Sequence, residues 1–257
     1  MNPLIRRLAH RILSTSLIAQ LPVKVRHGIA AGASWTLYPW TSYWRGTHEP
    51  AVQDCILALG GGDIRGWSCW DLGAHFGLYS IGLARRVGPQ GSVAAFEPNP
   101  VSFARLERHR RMNGLAWLKP YAAAVSAQSG TAELYSHGSL ATTTTHLPYE
   151  GEQRTADVGA FAVRTVRLDD LVRTGELRPP NFVKIDVEGH GHHALKGMQE
   201  TLIAARPVII TGFHSPQEIA GMTSLLMPLG YRWRQIGSET PRPEFQVGAD
   251  YLFLPPA

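Results

Sequence analysis

Three carboxylates stand at the ends of short apolar runs, where their side chains could do chemistry. Asp71, Glu97 and Asp186 each close or directly follow such a run, and each run has the length of a buried β-strand. In a parallel sheet these strand ends meet along one edge, and ligands bind there. A carboxylate at that edge can accept hydrogen bonds from a sugar, hold an ammonium group or take a proton from a nucleophile.

A glycine-rich turn separates the first of these acids from the second. The turn contains Gly73, His75 and Gly77. Glu97 comes twenty residues after Gly77, a spacing typical of a carboxylate that binds both hydroxyls of an adenosine ribose. A dinucleotide loop needs glycine where His75 stands, so NAD is disfavoured. S-adenosylmethionine fits better because it has a ribose and an amino-acid tail but no phosphate, and Asp71 would hold its ammonium group directly or through water.

The third acid belongs to a group that could move a proton. Asp186 is predicted at the tip of a central strand, where both sheet faces are covered. A buried unpaired acid is costly, so Asp186 is expected to be functional or to be paired within a functional site. His214 follows the next predicted strand and would approach Asp186, giving a carboxylate and imidazole pair able to take a proton. Glu188, two residues beyond Asp186, is expected near the acceptor.

The segment 190–193 reads His-Gly-His-His and raises the question of a metal. It matches neither the His-Glu-x-x-His motif of zinc enzymes nor an all-carboxylate magnesium set. His190 and His193 are therefore expected to contact the substrate or to supply polarity at the start of a helix. No metal site is predicted, and the participation of a divalent ion stays open.

These residues need a sheet whose strands end along a common edge. From about Trp67 the chain alternates short apolar runs with helical patterns, which is typical of a parallel sheet covered on both faces. The predicted strands are 68–72, 92–96, 117–125, 182–187, 208–211, 231–236 and 251–254. The last two are joined without a helix and should pair antiparallel. We therefore predict an α/β fold, a Rossmann-like doubly wound and mostly parallel sheet with a terminal antiparallel hairpin.

Helices are predicted between the strands from their apolar spacing and their caps. Asn99 with Pro100 should start the helix after the second strand, and Ser215 with Pro216 the helix after the fifth. The helix after the fourth strand should bury one apolar face, made of Ala194, Leu195, Met198, Leu202 and Ile203.

Two units are expected along the chain. Residues 1–66 would form a helical and aromatic extension packed on the core, in which Tyr43 packs rather than stacks on a sugar. Residues 67–257 would form the ligand-binding domain. Within it, residues 126–159 lack periodicity and should form edge strands and a functional loop. Thr143, in a run of four threonines, is a candidate to cover the substrate.

Charge is concentrated at the N-terminus. The first 26 residues hold five basic and no acidic side chains, so the remaining 231 carry 20 of each sign. A groove that binds nucleic acid needs basic residues concentrated on the face that meets the phosphates. Outside its first 26 residues the chain is neutral, so nucleic acid is not expected as a partner. The apolar spacing of the first residues predicts a basic helix packed on the domain, with weak contact to a membrane surface or a partner as the alternative.

The cysteine content and the hydropathy of the chain indicate the cellular compartment in which the protein is expected. Cys55 and Cys69 are the only cysteines and have no zinc-ligand spacing, so no disulfide framework is implied and a reducing, cytoplasmic setting is expected. No apolar run is long enough to predict a membrane span. The oligomeric state is not predicted.

Several motifs together resemble the FkbM family of S-adenosylmethionine-dependent methyltransferases. Phe-Glu-Pro-Asn at 96–99 and Ile-Asp-Val-Glu-Gly at 185–189 are specific in combination. Further matching segments are 70–77, 113–114, 129–134, 168–171 and 195–197, with 46–50 upstream. The resemblance spans about residues 44–214. Members of the family mostly methylate hydroxyls of sugars, glycolipids and secondary metabolites, and some methylate nitrogen.

The resemblance implies an enzyme that moves a methyl group from S-adenosylmethionine to a hydroxyl of a small polar metabolite, sugar or natural product. The cofactor would contact Asp71, Gly73, His75, Gly77, Glu97, Pro98, Asn99, Ala123, Ala124, Val125 and Asp186. The catalytic residues would be Asp186, His214 and Glu188. Contacts to the small-molecule or glycan acceptor would come from Glu49, His190, His193 and Thr143.

The chain also departs from the family. The family usually has Asn at the position of His75, an acid at Gly191 or His193, and often Glu at Gly212. Two other functions stay open: N-methylation of an amine, and a non-catalytic domain that binds an adenosyl ligand and docks a partner through its basic N-terminal helix.

Overall fold

The structure is a computed structural model, and it describes residues 21–38, 41–136, 145–148, 159–238, 240 and 243–256. The predicted N-terminal helix and Thr143 lie outside the described residues.

The strands and helices of the described residues follow the predicted alternation. The strands are β1 (Pro22–Lys24), β2 (Ser34–Thr36), β3 (Ser68–Leu72), β4 (Ser92–Phe96), β5 (Leu118–Tyr121), β6 (Ala124–Val125), β7 (Gly130–Ser136), β8 (Thr145–His146), β9 (Gly159–Val166), β10 (Phe182–Ile185), β11 (Val208–Gly212), β12 (Arg232–Gln235) and β13 (Asp250–Leu254). The α-helices are α1 (Pro50–Leu57), α2 (Leu78–Val87), α3 (Pro100–Met112), α4 (Leu168–Arg173), α5 (Gly191–Gly197), α6 (Gln199–Ala205) and α7 (Pro216–Leu226).

Seven strands form the central sheet, in the order β12-β13-β11-β10-β3-β4-β5. The five strands from β11 to β5 are parallel, whereas β13 pairs antiparallel with both β11 and β12. The predicted α/β fold with its terminal hairpin is confirmed. Because Leu72 pairs with Phe96 on one side and with Ile185 on the other, the residues that follow these three strands emerge side by side.

Both faces of the central sheet are buried. Neighbouring residues of a strand point to opposite faces. Cys69 and Phe182 accordingly pack into one apolar cluster, while Trp70 and Val183 pack into the other. This double coverage explains why β3 and β10 appear in the sequence as continuous apolar runs.

A second, four-stranded sheet has the order β6-β9-β7-β8. Its presence corrects the predicted third strand, 117–125. The chain leaves the central sheet after Tyr121, and the two residues of β6 pair with β9 instead. The predicted edge strands within 126–159 correspond to β7 and β8 and to the start of β9, although most of the predicted loop lies outside the described residues.

The helix predicted after the fourth strand is two short helices, α5 and α6. The break falls at Met198, whose φ of −124° is not helical. Ala194, Leu195, Met198 and Leu202 are fully buried as expected, but Ile203 is 49% exposed. The non-helical backbone at Met198 interrupts the helical spacing on which the prediction rested, and Ile203 does not belong to the buried face.

The described residues before β3 share the core of the sheet. Ile29 packs so closely on α2 that a Cβ on Gly82 would lie 2.6 Å from its Cγ1. Trp35 of β2 stacks on His109 of α3 with ring centroids 3.6 Å apart. The division of the chain at residue 66 stays a prediction. No helix in the described part of the chain has the length and apolar composition that a membrane span requires.

Candidate functional site

A cavity of about 400 Å³ lies at the carboxyl ends of the parallel strands. Most of the residues predicted for the site line it: Glu49, Gly73, His75, Glu97, Pro98, Asn99, Ala123, Ala124, Val125, Asp186, Glu188, His190 and His214. Asp71, Gly77 and His193 are described residues that do not line it.

Glu97 is held firmly at the tip of β4. Its Oε2 accepts a 2.7 Å hydrogen bond from the backbone amide of His75, and its Oε1 accepts a 2.8 Å bond from the amide of Asn99. Asn99 in turn caps α3 by accepting from the amide of Val101. Burial raises the pKa of Glu97 to about 7, although these two amides act in the opposite direction. The carboxylate keeps lone pairs for a ligand in the cavity it lines.

Asp71 lies behind the cavity rather than on its wall. The side chain is buried, and Ser80 donates a hydrogen bond to Oδ2. Oδ1 has no hydrogen-bond partner among the described residues. Burial raises the pKa of Asp71, and the Lys184 ammonium opposes that shift. Direct contact between Asp71 and a ligand in the cavity is therefore not what this geometry offers, because the carboxylate is covered.

The two glycines of the turn have different roles in the fold. A Cβ on Gly73 would lie 1.8 Å from the backbone oxygen of Asp186, so only glycine allows the turn to pass this close to β10. A Cβ on Gly77 would lie 2.5 Å from Cδ1 of Leu106, on the side of α3. Gly77 thus serves the packing of α2 on α3, which explains its absence from the cavity wall.

Lys184 and Asp186 form a buried ion pair. The Lys184 ammonium lies 2.8 Å from Oδ2 of Asp186 and 4.5 Å from the centre of the Tyr79 ring. Burial alone would raise the pKa of Asp186, but the attraction of Lys184 lowers it. Asp186 is therefore ionised at neutral pH, with one oxygen engaged by Lys184.

His214 lies among carboxylates. Its Nε2 is 3.5 Å from Oδ1 of Asp186 and 3.7 Å from Oε2 of Glu188, and its Nδ1 is 3.3 Å from Oε2 of Glu218. Burial would lower the pKa of His214, yet the hydrogen bond to Glu218 and the two cavity carboxylates raise it to about 9. His214 is therefore an imidazolium at neutral pH. Burial raises the pKa of Glu188, and His214 opposes that shift.

Asp186, Glu188 and His214 also have the spacing of possible metal ligands, with one atom of each within 4.8 Å of the others. Two of them already have partners within the chain, because Lys184 holds Asp186 and Glu218 holds the Nδ1 side of His214. We interpret the cluster as an ion-pair network.

In the segment before β3 the sequence pointed to Glu49 as a site residue, but it did not identify Tyr43 or His48 as part of the cavity wall. The hydroxyl of Tyr43 lies 2.9 Å from Nδ1 of His75, and Tyr43 lines the cavity together with His48 and Glu49. Tyr79 donates a 2.6 Å hydrogen bond to Glu49. Aromatic residues near a predicted cleft were the available signal, and the interpretation of Tyr43 as a packing residue was incomplete.

Three residues of the cavity wall other than glycine have a left-handed backbone. Glu49, His75 and Glu188 have φ values of 44°, 49° and 49°. This conformation costs free energy for a residue with a side chain, and such residues concentrate at functional sites. Burial also lowers the pKa of His75 to about 4, so its ring is neutral and can pair with the Tyr43 hydroxyl.

The histidine segment 190–193 contributes one residue to the wall. His190 lines the cavity, and its Nε2 lies 3.1 Å from Oγ of Ser126. Burial and the neighbouring His193 lower the pKa of His190 to about 3, so it is neutral. His193 stacks on His190 at 4.4 Å. His193 therefore contacts a wall residue without reaching the cavity.

Part of the remaining wall comes from the second sheet. Ala124 and Val125 form β6, Leu134 and His146 belong to β7 and β8, and Ala123 lies between β5 and β6. Apart from His146, these groups are small or apolar. Such a surface suits the flat face of a nucleobase, while the acid at the tip of β4 suits a sugar diol. The residues that line the cavity therefore fit an adenosyl ligand.

Comparison with known proteins gives a consistent result. Residues 71–233 match the family model described as the methyltransferase FkbM domain. The hexuronic acid methyltransferase AglP of Haloferax volcanii is 32% identical over 195 residues, which cover 76% of this chain and 75% of that protein. The methyltransferase sdnD of Sordaria araneosa is 29% identical over 155 residues, 51% of this chain and 60% of that protein.

A solved structure supports the fold. The crystal structure of the methyltransferase FkbM from Methylobacillus flagellatus superposes with a TM-score of 0.50 at 17% identity. The match covers 73% of this chain and 43% of that chain, so this chain spans less than half of that protein. The family match covers more than half of this chain. The strand order of this chain's central sheet and the acids at its strand ends agree with that family. The chain therefore belongs to the FkbM family of S-adenosylmethionine-dependent methyltransferases.

Proposed function

We propose that this methyltransferase methylates a hydroxyl group of a sugar or another small polar metabolite. The observation that carries the proposal is a single cavity that unites Glu97 with the proton-handling cluster of Asp186, Glu188 and His214. The relative AglP is named a hexuronic acid methyltransferase, which supports a sugar as the acceptor class.

The cofactor would lie along the strand tips. Gly73 and His75 would contact its amino-acid end, Glu97 with Pro98 and Asn99 its ribose, and the backbone of 123–125 its adenine. When bound, S-adenosylmethionine supplies an electrophilic methyl group. Asp71 is buried and does not line the cavity, so it would act indirectly, through its electrostatic attraction for Lys184.

Glu188 is the best candidate to take the proton of the acceptor hydroxyl. A general base works best when its pKa lies near the working pH, and burial raises the pKa of Glu188. Lys184 lowers the pKa of Asp186, which makes that carboxylate a weaker base. His214 already carries its proton at neutral pH and would hold Glu188 and Asp186 in place. Asp186 would orient the acceptor hydroxyl.

The acceptor would meet the residues that face the other side of the cavity. Glu49 is ionised and fixed by Tyr79, so it can accept a hydrogen bond from a second hydroxyl. His190 is neutral and held by Ser126, which suits a hydrogen bond to a polar acceptor. Tyr43 adds an aromatic edge against which the apolar face of a sugar ring can pack.

A methyl-transfer assay with a panel of acceptors tests the proposal. Purified protein would be incubated with S-adenosylmethionine and with hexuronic acids, neutral hexoses or small amines, and the products fragmented by mass spectrometry. A gain of one methyl on an oxygen of a sugar is the expected result. A methyl on nitrogen would establish the amine alternative, and binding of S-adenosylhomocysteine without turnover of any acceptor, including metabolite extracts, would favour the non-catalytic one.

We also propose a cytoplasmic setting and a reaction without a metal. Cys55 and Cys69 are buried and free, which is consistent with a reducing compartment. Lys184 pairs with Asp186, and His214 lies between Asp186, Glu188 and Glu218, so the chain's own cations already contact the cavity carboxylates.

A further inference from the structure

Glu218 of α7 is a buried acid that contacts His214, which lies with Asp186 and Glu188 on the cavity wall. The residue is 1% exposed and does not line the cavity. Its Oε1 accepts a 2.8 Å hydrogen bond from the amide of Gly191. Its Oε2 accepts a 2.7 Å bond from the amide of His214 and lies 3.3 Å from Nδ1 of the same histidine. Both carboxylate oxygens are therefore committed to groups at the site.

The local sequence offers a simpler role, which the contacts do not match. Ser215-x-x-Glu218 is a capping-box pattern, and Ser215 does accept a hydrogen bond from the amide of Glu218. In a capping box the glutamate reaches back to the amide of the cap residue itself. Here the carboxylate goes one residue further, to the amide and the ring of His214. The side chain thus does more than cap α7.

The contact fixes how the His214 ring presents its two nitrogens. Both ring nitrogens face carboxylates, and a carboxylate only accepts hydrogen bonds, so the protonated ring can donate from both. Nδ1 is hydrogen-bonded to Oε2 of Glu218 at 3.3 Å, whereas Nε2 makes the longer contacts, 3.5 Å to Asp186 and 3.7 Å to Glu188. Because the shorter contact is at Nδ1, we expect the neutral ring to keep its proton there and to have its lone pair on Nε2.

The chain leaves room for this arrangement at Gly191. A Cβ at that position would lie 2.6 Å from Oε1 of Glu218 and 2.7 Å from the sulfur of Met222. Any side chain at 191 would push the carboxylate away. Gly191 begins α5, directly after His190 on the cavity wall, so Glu218 joins the two segments that follow β10 and β11.

We infer that Glu218 is a positioning residue. It holds the His214 ring so that the Nδ1–H group donates to the Glu218 carboxylate of α7 and Nε2 points toward Glu188 and Asp186. Glu218 does not line the cavity, so its effect on the reaction passes through its contacts with His214 and Gly191. That this role affects catalysis rests on the proposed methyl transfer. The orientation of the His214 ring does not depend on that proposal.

The charged groups that face His214 are Asp186 and Glu188 after β10, Glu218 on α7 and Asp250 on β13. Glu218 is the one that hydrogen-bonds both the backbone and the ring of His214. Replacing it should therefore change the histidine more than replacing a distant acid. Glu107, which pairs with Arg110 and Arg111 on the surface of α3, is a suitable control.

The test is NMR of the full chain with isotope-labelled histidine. In the wild type the His214 signal should titrate near pH 9. At higher pH, long-range proton–nitrogen spectra should show the proton on Nδ1. E218Q should lower the His214 midpoint by about 1 unit or more, because a charge partner is lost, and shift the pH profile of turnover with it. E107Q should change neither.

Two results would overturn the inference. One is a wild-type His214 with its proton on Nε2 in the neutral form, a measurement that does not depend on any variant being folded. The other is an E218Q protein that loses thermal stability while its His214 midpoint and pH profile stay where they were, which is the behaviour of a helix cap alone. Calorimetry with S-adenosylhomocysteine is a separate readout: a wild type that does not bind it contradicts the proposed function but leaves the His214 result standing.

Discussion

The backbone amide of His75 donates a 2.7 Å hydrogen bond to Oε2 of Glu97 and so joins the turn after β3 to the tip of β4. His75 has a left-handed backbone in this turn, and the backbone amide of Asn99 holds the other oxygen of Glu97. A carboxylate fixed by two amides has lost its rotational freedom before any ligand arrives. Pre-organisation of this kind lowers the entropy cost of binding.

Replacing Glu97 should weaken cofactor binding. E97Q removes the charge and turns an NH2 group toward one of the two backbone amides, so a ribose loses a charged acceptor. We expect the affinity for S-adenosylhomocysteine to fall about 10- to 100-fold, since hydrogen bonds to charged groups contribute about 1.5–3 kcal/mol. Isothermal titration calorimetry measures the affinity for S-adenosylhomocysteine. E107Q is the matched control, and equal affinities in E97Q and wild type would exclude Glu97 from the ribose site.

The raised pKa of Glu97 makes cofactor binding depend on pH. Burial raises this pKa to about 7, and a diol donates most strongly to the ionised carboxylate. Binding therefore competes with protonation below pH 7. We expect the dissociation constant of S-adenosylhomocysteine to be flat above pH 7.5 and to rise by about tenfold per unit below pH 6.5, as a single competing proton requires. Calorimetry between pH 5.5 and 8 checks this, and a constant affinity over the range would be incompatible with it.

Glu188 should matter for turnover much more than for binding. In E188Q the amide cannot accept the proton of the acceptor, so we expect turnover to fall about 10²- to 10⁴-fold, the usual contribution of a general base. Affinity for S-adenosylhomocysteine should stay near the wild-type value. D186N provides the comparison, because it leaves Lys184 without its partner. A larger loss of turnover in D186N than in E188Q, with cofactor affinity intact, would assign the base to Asp186.

The sequence predicted the central sheet because hydrophobic burial determines it. β3 and β4 have the predicted ends, since each strand is a run of five residues buried on two faces and ends at a glycine turn or a proline. The third strand was predicted too long. Residues 122–125 are as apolar as the strand before them, and only the pairing of β6 with β9 shows that they belong to another sheet.

The candidate site was predictable where residues follow a strand and unpredictable where distant segments meet. Glu97, Asp186 and His214 stand at strand tips, so their sequence positions reveal their location. Tyr43 reaches the cavity from a segment whose path no local pattern specifies. Glu218 has the pattern of a helix cap, and its contact with His214 depends on how α7 packs beside β11.

Removing divalent ions should leave activity unchanged. Asp186 is paired with Lys184, and His214 is held by Glu218, so two of the three possible ligands already have partners within the chain. We expect protein dialysed against EDTA to methylate its acceptor at the rate of untreated protein. Added magnesium should not raise that rate. Stoichiometric Mn²⁺ binding that E188Q abolishes, together with a loss of activity in EDTA, would show the opposite.

The His214 network should make stability depend on pH above neutrality. The pKa of His214 is raised from 6.5 to about 9 in the folded protein, so the fold binds this proton more tightly than the unfolded chain does. The resulting stabilisation is fully present below pH 6.5 and is lost as the pH rises to 9. We expect the free energy of unfolding in urea, measured with reductant present, to decrease over this range in wild type and to decrease less in H214N. Parallel pH profiles for the two proteins would mean that His214 titrates alike in the folded and unfolded states, and that Asp186, Glu188 and Glu218 do not hold its proton.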